Sequence, residues 1–178
     1  MGKLNEQLAR AAASTGVRRA VETGTYLGDG ALVLGAIFDR VETIEWSRYL
    51  WFRAWFRLFR YRNVRVRLGD SAKWLRPSTE PTLYWLDGHW SGGKTAGENR
   101  QCPLVDELRA TSPGTHGDWY LIDDARLFAG RLDSELDPAQ WPTLEQIRAT
   151  VETARPNYEM AVREDLDLIV VRPRSRLT

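Results

Sequence analysis

The stretch Val21-Glu22-Thr23-Gly24-Thr25-Tyr26-Leu27-Gly28-Asp29-Gly30 decides the fold of this chain. It begins in a short apolar strand and passes through a glycine-rich turn into residues 29–38, which have helical character. A second strand follows at residues 41–44 and ends on the acid Glu45. Glycines allow a backbone to approach a ligand closely. This order therefore indicates a nucleotide-type cofactor site at the first crossover of a parallel sheet.

The spacing of acids and glycines narrows the kind of cofactor. The turn reads Glu-x-Gly-x-x-x-Gly-x-Gly, whereas a fingerprint for pyrophosphate binding reads Gly-x-Gly-x-x-Gly. A carboxylate at Glu22 would repel a pyrophosphate but would suit a ligand that carries an ammonium or sulfonium group. Glu45, at the end of the second strand, can accept hydrogen bonds from both hydroxyls of a ribose.

These residues resemble motif I of the class I S-adenosylmethionine-dependent methyltransferases, and the resemblance extends over about residues 17–173. The form Glu-x-Gly-x-Tyr-x-Gly is most similar to catechol O-methyltransferase and other metal-dependent O-methyltransferases. The resemblance implies S-adenosylmethionine as the cofactor, with Glu45 on its ribose. The residues that it places around the methionine part are Glu22, Gly24, Thr25, Tyr26 and Gly28. Further cofactor contacts are expected at Trp46, at Asp70 or Ser71 beside the adenine, and at Asp87.

Length and composition limit the number of domains and the cellular location that we expect. The length predicts one domain, residues 1–178, with an N-terminal helix in residues 1–16 and a core in residues 17–173. The net charge of +1 gives no overall attraction to nucleic acid or to a membrane. No apolar run is long enough for a transmembrane helix, and no signal-peptide pattern is present. The single cysteine, Cys102, cannot form an internal disulfide. We therefore expect a cytoplasmic protein.

Strands alternate with helices along most of the chain, and this predicts a parallel sheet with helices on both faces. The predicted strands are residues 19–24, 41–45, 64–68, 82–87, 118–122, 158–163 and 168–172. The predicted helices are residues 4–14, 29–38, 47–60, 71–75, 99–111 and 143–154, and Ser71 is suited to cap the fourth. A short polar link joins the last two strands and indicates a hairpin. The expected fold is a Rossmann-like, doubly wound, seven-stranded α/β sheet, mostly parallel with a C-terminal antiparallel hairpin.

Carboxylates close two strands that should be neighbours. Asp87 follows the fourth strand, and Asp123 and Asp124 follow the fifth. Because clustered carboxylates repel one another unless a cation neutralises them, an all-oxygen site for Mg²⁺ or Mn²⁺ is predicted here. The family resemblance implies the same ligands, except that catechol O-methyltransferase has Asn at the position of Asp124. The alternative is that Asp123 or Asp124 caps a turn or pairs with Arg126.

The predicted chemistry is methyl transfer to a hydroxyl of a small-molecule acceptor. A divalent cation would lower the pKa of a coordinated hydroxyl, and a nearby base would take its proton. The candidate bases are His89 and Lys94, both in the loop after Asp87. Trp90, Phe128 and Trp141 can supply surfaces for a sugar or an aromatic acceptor.

Two other functions compete with this reading. The loop Gly88–Thr95 also fits the phosphate-binding pattern G-x-x-x-x-G-K-[ST] and would make the chain a nucleoside triphosphate-binding protein. Asp87 directly before this loop opposes phosphate, and residues 96–99 are poor starters of the helix that a phosphate loop needs. A protein that binds S-adenosylmethionine without catalysis is the remaining alternative, although Asp87, Asp123 and Asp124 argue against lost catalysis.

Residues 48–62 combine aromatic side chains with arginines at helical spacing. Trp51, Trp55 and Leu58 share one spacing, and Phe52, Phe56 and Phe59 share another. One interpretation is a core helix whose arginines extend over apolar surface. The sharper interpretations are a homodimer interface, a contact with an anionic membrane surface, or a contact with a phosphorylated or lipid-like acceptor. Nucleic-acid binding would use the same arginines and aromatics, but the near-neutral net charge disfavours it.

Overall fold

A computed structural model describes residues 4–92, 95–115 and 117–174. Across these residues, seven strands form one sheet: β1 Arg19–Thr23, β2 Arg40–Glu45, β3 Val64–Leu68, β4 Thr82–Leu86, β5 Trp119–Ile122, β6 Tyr158–Arg163 and β7 Leu168–Pro173. The α-helices are α1 Glu6–Ser14, α2 Asp29–Ile37, α3 Arg48–Leu58, α4 Ser71–Trp74, α5 Leu104–Ala110, α6 Ala125–Phe128 and α7 Leu144–Ala154. Short 3₁₀ turns lie at Pro138–Gln140 and Glu164–Leu166.

The strand order is β3-β2-β1-β4-β5-β7-β6. Strands β1 to β5 pair in parallel, whereas β7 runs antiparallel to both β5 and β6. The predicted fold class is therefore confirmed, including the reversed hairpin. The chain moves outward from β1 to β3 and then crosses back to β4 on the other side of β1. This reversal opens a crevice at the carboxyl ends of β1 and β4, where ligands bind in such sheets.

The sheet lies between two apolar layers, because alternate residues of each strand point to opposite faces. Leu83 and Trp85 of β4 face the layer formed with α1, α2 and α3, and Tyr84 faces the layer formed with α5, α6 and α7. Both central strands, β4 and β5, are buried at every residue. This double burial explains why their sequences are continuously apolar or aromatic rather than alternating.

The observed elements depart from the predicted ones in a few places. The helix predicted at residues 99–111 begins only at Leu104, because Pro103 precludes a preceding helical turn and restricts Cys102 as well. The N-cap of α4 is Asp70, whose side chain accepts from the N–H of Ala72, and not Ser71. The short helix α6 was not predicted. None of the described helices is long and apolar enough to cross a membrane.

The side chains that α3 buries differ from those expected for a core helix at residues 48–62. Its buried side consists of Leu50, Ala54 and Leu58, which pack towards the sheet. The aromatic residues that were candidates for the core lie on the other sides of the helix instead. Phe52, Phe56 and Phe59 are 56%, 65% and 58% exposed. The interpretation of an aromatic core helix is therefore wrong, because small and aliphatic residues already fill the contact with the sheet.

Candidate active site

A cavity of about 530 Å³ opens at the carboxyl ends of the first four strands. This volume lies within the roughly 300–1,000 Å³ that is usual for small-molecule sites. Eight of the predicted site residues line it: Gly24, Tyr26, Glu45, Trp46, Asp70, Ser71, Asp87 and His89. Glu22, Thr25 and Gly28 are described but are not among the lining residues. The topology therefore brings most of the predicted cofactor residues to one place.

The glycines of the first turn are explained by contacts within the protein. A Cβ atom on Gly24, which has a φ of +79°, would lie 2.0 Å from the backbone carbonyl oxygen of Asp87. A Cβ atom on Gly30 would lie 2.1 Å from Oε1 of Glu22. The turn is thus pressed against the end of β4 on one side and against the Glu22 carboxyl on the other.

Glu22 lies beneath this turn and is almost completely buried. The hydroxyl of Thr43 donates to its Oε2 at 2.5 Å, and Thr25 and Thr43 share a further hydroxyl contact. Burial raises the pKa of Glu22 to about 8 despite the Thr43 hydrogen bond, and the charge of Glu45 adds to the rise. The site therefore contains an acid that stays protonated at neutral pH unless a positive group lies close to it.

Glu45 is a buried carboxylate whose orientation is fixed by backbone donors. Its Oε2 accepts from the N–H of Tyr26 at 2.9 Å, and its Oε1 accepts from the N–H of Ser47 at 2.8 Å. Burial raises the pKa of Glu45, and the backbone hydrogen bonds oppose that rise. Each carboxylate oxygen has a second lone pair. The group can therefore accept hydrogen bonds from a ligand diol without moving.

The end of β3 adds a second polar group to the cavity wall. The Asp70 carboxylate accepts from the Arg100 guanidinium at 2.7 Å. The hydroxyl of Ser71 donates to Oε1 of Glu107 at 2.5 Å. Burial raises the pKa of Glu107 to about 7, although hydrogen bonds oppose the rise. Sequence reasoning missed Glu107, which shares the buried side of α5 with Leu104 and Leu108 at a spacing that signals an inward-facing acid.

His89 lies between two of the predicted carboxylates. Its Nε2 is 3.0 Å from Oδ2 of Asp124, and its Nδ1 is 3.6 Å from Oδ1 of Asp87. Ligand atoms of these three residues all lie within 4.8 Å of one another. Burial, together with the charges of Asp123 and Asp124, raises the pKa of Asp87 well above its usual value.

The turn after β5 fixes Asp124 from outside the cavity. Asp124 has a φ of 55°, a left-handed conformation that Asp and Asn tolerate better than most residues. The Arg126 guanidinium pairs with the carboxylates of both Asp124 and Asp167. Burial opposes ionisation of Asp124, but the His89 hydrogen bond and Arg126 outweigh it and lower its pKa to about 2. The predicted alternative, a pair between Arg126 and this turn, is therefore present.

The group that can hold a cation differs from the predicted one. It contains Asp87, Asp124 and His89, whereas Asp123 is not part of it. Oδ2 of Asp123 is buried without a hydrogen-bond partner, and burial together with Asp124 raises the pKa of Asp123 to about 6. Lys94, the other candidate base, lies outside the described residues.

Aromatic side chains stand beside His89. The ring centroids of His89 and Trp141 are 5.3 Å apart, and those of Phe128 and Trp141 are 5.7 Å apart. The indole N–H of Trp141 donates to Oε1 of Gln101 at 3.1 Å. Two of the three aromatic residues predicted for an acceptor surface, Phe128 and Trp141, are buried, and Trp141 is the one that lies beside His89.

The described residues of the loop after β4 lack the surroundings of a phosphate site. The described residues 95–103 contain no helix, and α5 begins at Leu104. A Cβ atom on Gly88 would lie 3.1 Å from Oε1 of Glu107, and Asp87 precedes it directly. Two carboxyl groups therefore stand where a triphosphate would need N–H donors and a helix N-terminus.

Comparisons with known proteins agree on the fold. No protein-family model matches the chain, and no curated protein matches it in sequence. A Staphylococcus aureus protein provisionally described as a caffeoyl-CoA O-methyltransferase is 16% identical with a TM-score of 0.68, and the match covers 98% of this chain and 85% of that one. The S-adenosylhomocysteine-bound methyltransferase PaMTH1 of Podospora anserina is 14% identical with a TM-score of 0.65, covering 98% and 80%. The 23S rRNA methyltransferase ErmE is 20% identical with a TM-score of 0.58, covering 98% and 70%.

These similarities define the class by its fold. The chain has the fold of the class I S-adenosylmethionine-dependent methyltransferases, as the resemblance of its first turn predicted. Several of the similar structures are O-methyltransferases, and some were determined with S-adenosylmethionine or S-adenosylhomocysteine bound.

Proposed function

We propose that the protein transfers a methyl group from S-adenosylmethionine to a hydroxyl of a small-molecule acceptor. The observation that carries the proposal is the single cavity in which the oriented carboxylate of Glu45 and the pair of Asp87 and His89 meet. Glu45 supplies hydrogen-bond acceptors for a ribose, and Asp87 and His89 supply negative charge and a proton acceptor at the end of β4. A cytoplasmic location and a single-domain organisation stay predictions.

The residues of the cavity fit this cofactor chemically. Glu22 and Asp87 are buried acids whose raised pKa values indicate a site with too little positive charge. A ligand with an ammonium and a sulfonium group would favour their ionised forms. S-adenosylmethionine, when bound, supplies an electrophilic methyl group. Glu45 would hold its ribose, Tyr26 and Trp46 would flank it, and Asp70 or Ser71 would lie at the adenine.

His89 is the proposed proton acceptor. Asp124 holds Nε2 of His89 at 3.0 Å, which fixes the imidazole and leaves Nδ1 to take the proton of the acceptor hydroxyl. Asp124 also stabilises the imidazolium that results, because Arg126 keeps this carboxylate ionised. The Trp141 ring, whose centroid lies 5.3 Å from that of His89, shields part of the imidazole from water.

A divalent cation is the second candidate for activating the hydroxyl, and the observation that favours it is the grouping of Asp87, His89 and Asp124 within 4.8 Å. Carboxylates and imidazole suit Mn²⁺, whereas Mg²⁺ prefers oxygen ligands. A bound cation would occupy His89 and replace it as the activating group. The two versions of the site therefore exclude each other.

Calorimetric titration tests the function itself. We expect S-adenosylmethionine and S-adenosylhomocysteine to bind in the presence of chelator, and ATP neither to bind nor to compete. Binding of ATP that is lost in Lys94→Ala, without any response to S-adenosylmethionine, would overturn the proposal in favour of the phosphate loop. Binding of S-adenosylmethionine without turnover of any acceptor would indicate a non-catalytic binding protein.

Replacement of His89 separates the two activation routes. With a panel of phenolic and sugar acceptors, we expect His89→Gln to lower kcat about 10²- to 10⁴-fold and to leave the Kd for S-adenosylhomocysteine unchanged. If His89 is the base, EDTA leaves wild-type activity intact. If a cation activates the acceptor, EDTA abolishes activity and Mn²⁺ restores it. Asp123→Asn, outside the group of three, is the control in both cases.

A further inference from the structure

Helix α3 carries an exposed surface that the proposed function does not use. We define this aromatic–arginine surface by Phe52, Arg53, Trp55, Phe56, Phe59 and Arg60, all of them exposed. Neighbouring aromatic rings form a continuous strip, with centroid distances of 6.2 Å for Phe52–Trp55, 6.3 Å for Trp55–Phe59 and 6.0 Å for Phe56–Phe59. An apolar strip of this kind on a folded protein marks a contact with another body.

The position of the phenylalanines on the helix sets the shape of the contact. Leu50, Ala54 and Leu58 are buried against the sheet. At 100° per residue, Phe52, Phe56 and Phe59 lie on the side opposite those residues, so they form the outermost crest of the helix. Arg53 and Arg60 lie along one flank of that crest. The surface is therefore a convex apolar ridge bordered by guanidinium groups.

The charge of this region limits the partner. Between Trp46 and Gly69 the sequence contains seven arginines and no acid. Among the described residues, the ion pairs of this segment are Arg57 with Asp29 and Arg67 with Glu42, so the positive charges of Arg53 and Arg60 beside the crest are not neutralised by them. A second copy of the chain would bring arginines against arginines. The surface therefore fits a partner that is both apolar and anionic.

We propose that the aromatic–arginine surface docks on a lipid bilayer with anionic headgroups. The three phenyl rings enter the boundary between headgroups and acyl chains, and Arg53 and Arg60 bind lipid phosphates from the flank. Single-stranded RNA fits less well, because its backbone is followed by a basic groove rather than by a convex ridge of phenyl rings. The docking is independent of the methyl-transfer chemistry.

Docking would place the cavity beside the bilayer. Trp46, Tyr49 and Arg53 line the cavity, and Arg53 also belongs to the docking surface. The mouth of the cavity therefore opens near the headgroups rather than on the far side of the molecule.

Co-sedimentation of the full chain with vesicles tests the proposal. We expect binding to vesicles of phosphatidylcholine mixed with phosphatidylglycerol, and weak binding to phosphatidylcholine alone. Phe52→Ser with Phe56→Ser should lower the partition coefficient by about tenfold or more per ring. Arg53→Gln with Arg60→Gln should lower it by about fivefold per arginine and reduce its salt dependence. Arg131→Gln with Arg148→Gln, both exposed elsewhere, is the control with the same net charge and should bind as the wild type does.

The remaining outcomes overturn the proposal. Equal binding to both kinds of vesicle would remove the role of the arginines, and no binding to either would remove the docking itself. A dimer that Phe52→Ser with Phe56→Ser converts to a monomer, without lipid binding, would assign the surface to a second copy. A gel shift of single-stranded RNA that the same variants abolish would assign it to nucleic acid. Circular dichroism of each variant confirms that the fold is intact.

Discussion

At the scale of single residues, Glu45 is the carboxylate whose removal tests the cofactor most directly. Both of its oxygens accept backbone N–H groups, so its position does not depend on a ligand. We expect Glu45→Ala to weaken binding of S-adenosylhomocysteine by about 1.5–3 kcal/mol, which is roughly 10- to 150-fold in Kd. Isothermal titration calorimetry measures this change.

The matched control for Glu45 is Glu42→Ala on the same strand. Glu42 pairs with Arg19 and Arg67 and does not line the cavity. Its removal should lower stability and leave the Kd of the folded protein unchanged. Equal losses of affinity in both variants would mean that β2, and not the Glu45 carboxylate, is what the ligand requires.

The raised pKa of Glu22 leads to an unusual pH dependence of the free energy of unfolding. Its pKa rises from 4.5 to about 8 on folding because the carboxyl group is buried. The folded state therefore holds this proton more tightly, and the stability that it provides is present below about pH 4.5 and is lost as the pH rises towards 8. We expect Glu22→Gln to raise the thermal midpoint at pH 8 and to leave it nearly unchanged at pH 5. The corresponding gain in the free energy of unfolding at pH 8 is on the order of a few kcal/mol.

The control for Glu22 removes one exposed carboxylate elsewhere. Glu152→Gln on α7 should shift the midpoint little and equally at both pH values. A Glu22→Gln variant that follows the wild-type pH profile would show that a neighbouring positive group keeps Glu22 ionised in the free protein.

Position at the end of a strand brings several of the predicted site residues to the cavity. Glu45 is the last residue of β2, Asp87 follows β4 directly and Asp70 lies one loop residue beyond β3, and all three line the cavity. The grouping of His89 with Asp124 was not predictable, because it depends on how the loop after β4 folds back. The inward-facing position of Glu107 could have been read from its spacing to Leu104 and Leu108, but its contact with Ser71 could not, since that contact joins two separate helices.

At the scale of elements, α2 contains a glycine whose replacement tests the packing beneath the first turn. Alanine in a helix is normally favoured over glycine by roughly 0.5–1 kcal/mol. At Gly30 the new Cβ would lie 2.1 Å from Oε1 of Glu22. We expect Gly30→Ala to destabilise the protein by about 1–3 kcal/mol, the usual cost of overpacking, as measured by urea unfolding.

The effect of Gly30→Ala on stability should change from destabilising to stabilising when Glu22 is shortened. In a Glu22→Ala background, Gly30→Ala no longer meets a carboxyl group and should stabilise the protein by roughly 0.5–1 kcal/mol. Destabilisation of similar size in both backgrounds would show that the backbone of α2, and not Glu22, disfavours alanine.

Elements were predicted best where the hydrophobic pattern was simple. The boundaries of β3 and β6 agree with the prediction, and those of the other strands differ by about one residue. Helix α3 was placed correctly in the chain, but the pattern did not reveal which side is buried. Its aromatic residues outnumber Leu50, Ala54 and Leu58, and only the space against the sheet shows that the smaller side chains are the ones that fit.

At the scale of the whole molecule, the topology divides the site into two parts. Residues 19–87 supply β1 to β4 and the proposed cofactor contacts. The proposed proton acceptor depends on the later part of the chain, because Asp124 lies after β5 and Arg126 connects it to Asp167. The mostly parallel sheet and its terminal hairpin were predictable from the sequence, whereas this dependence on Asp167 was not, since it arises only where β7 runs antiparallel beside β5.

The anchoring of the Asp124 turn by Asp167 has a consequence for synthesis on the ribosome. The backbone N–H groups of Ala125 and Arg126 both bond to Asp167, at 3.0 and 2.8 Å. A nascent chain that has emerged only as far as β4 already contains its four parallel strands and the residues proposed to hold the cofactor. It lacks Asp167, the residue that secures the Asp124 turn. We therefore expect the nascent chain to contain the residues proposed to bind the cofactor well before the turn beside the proposed proton acceptor can be anchored.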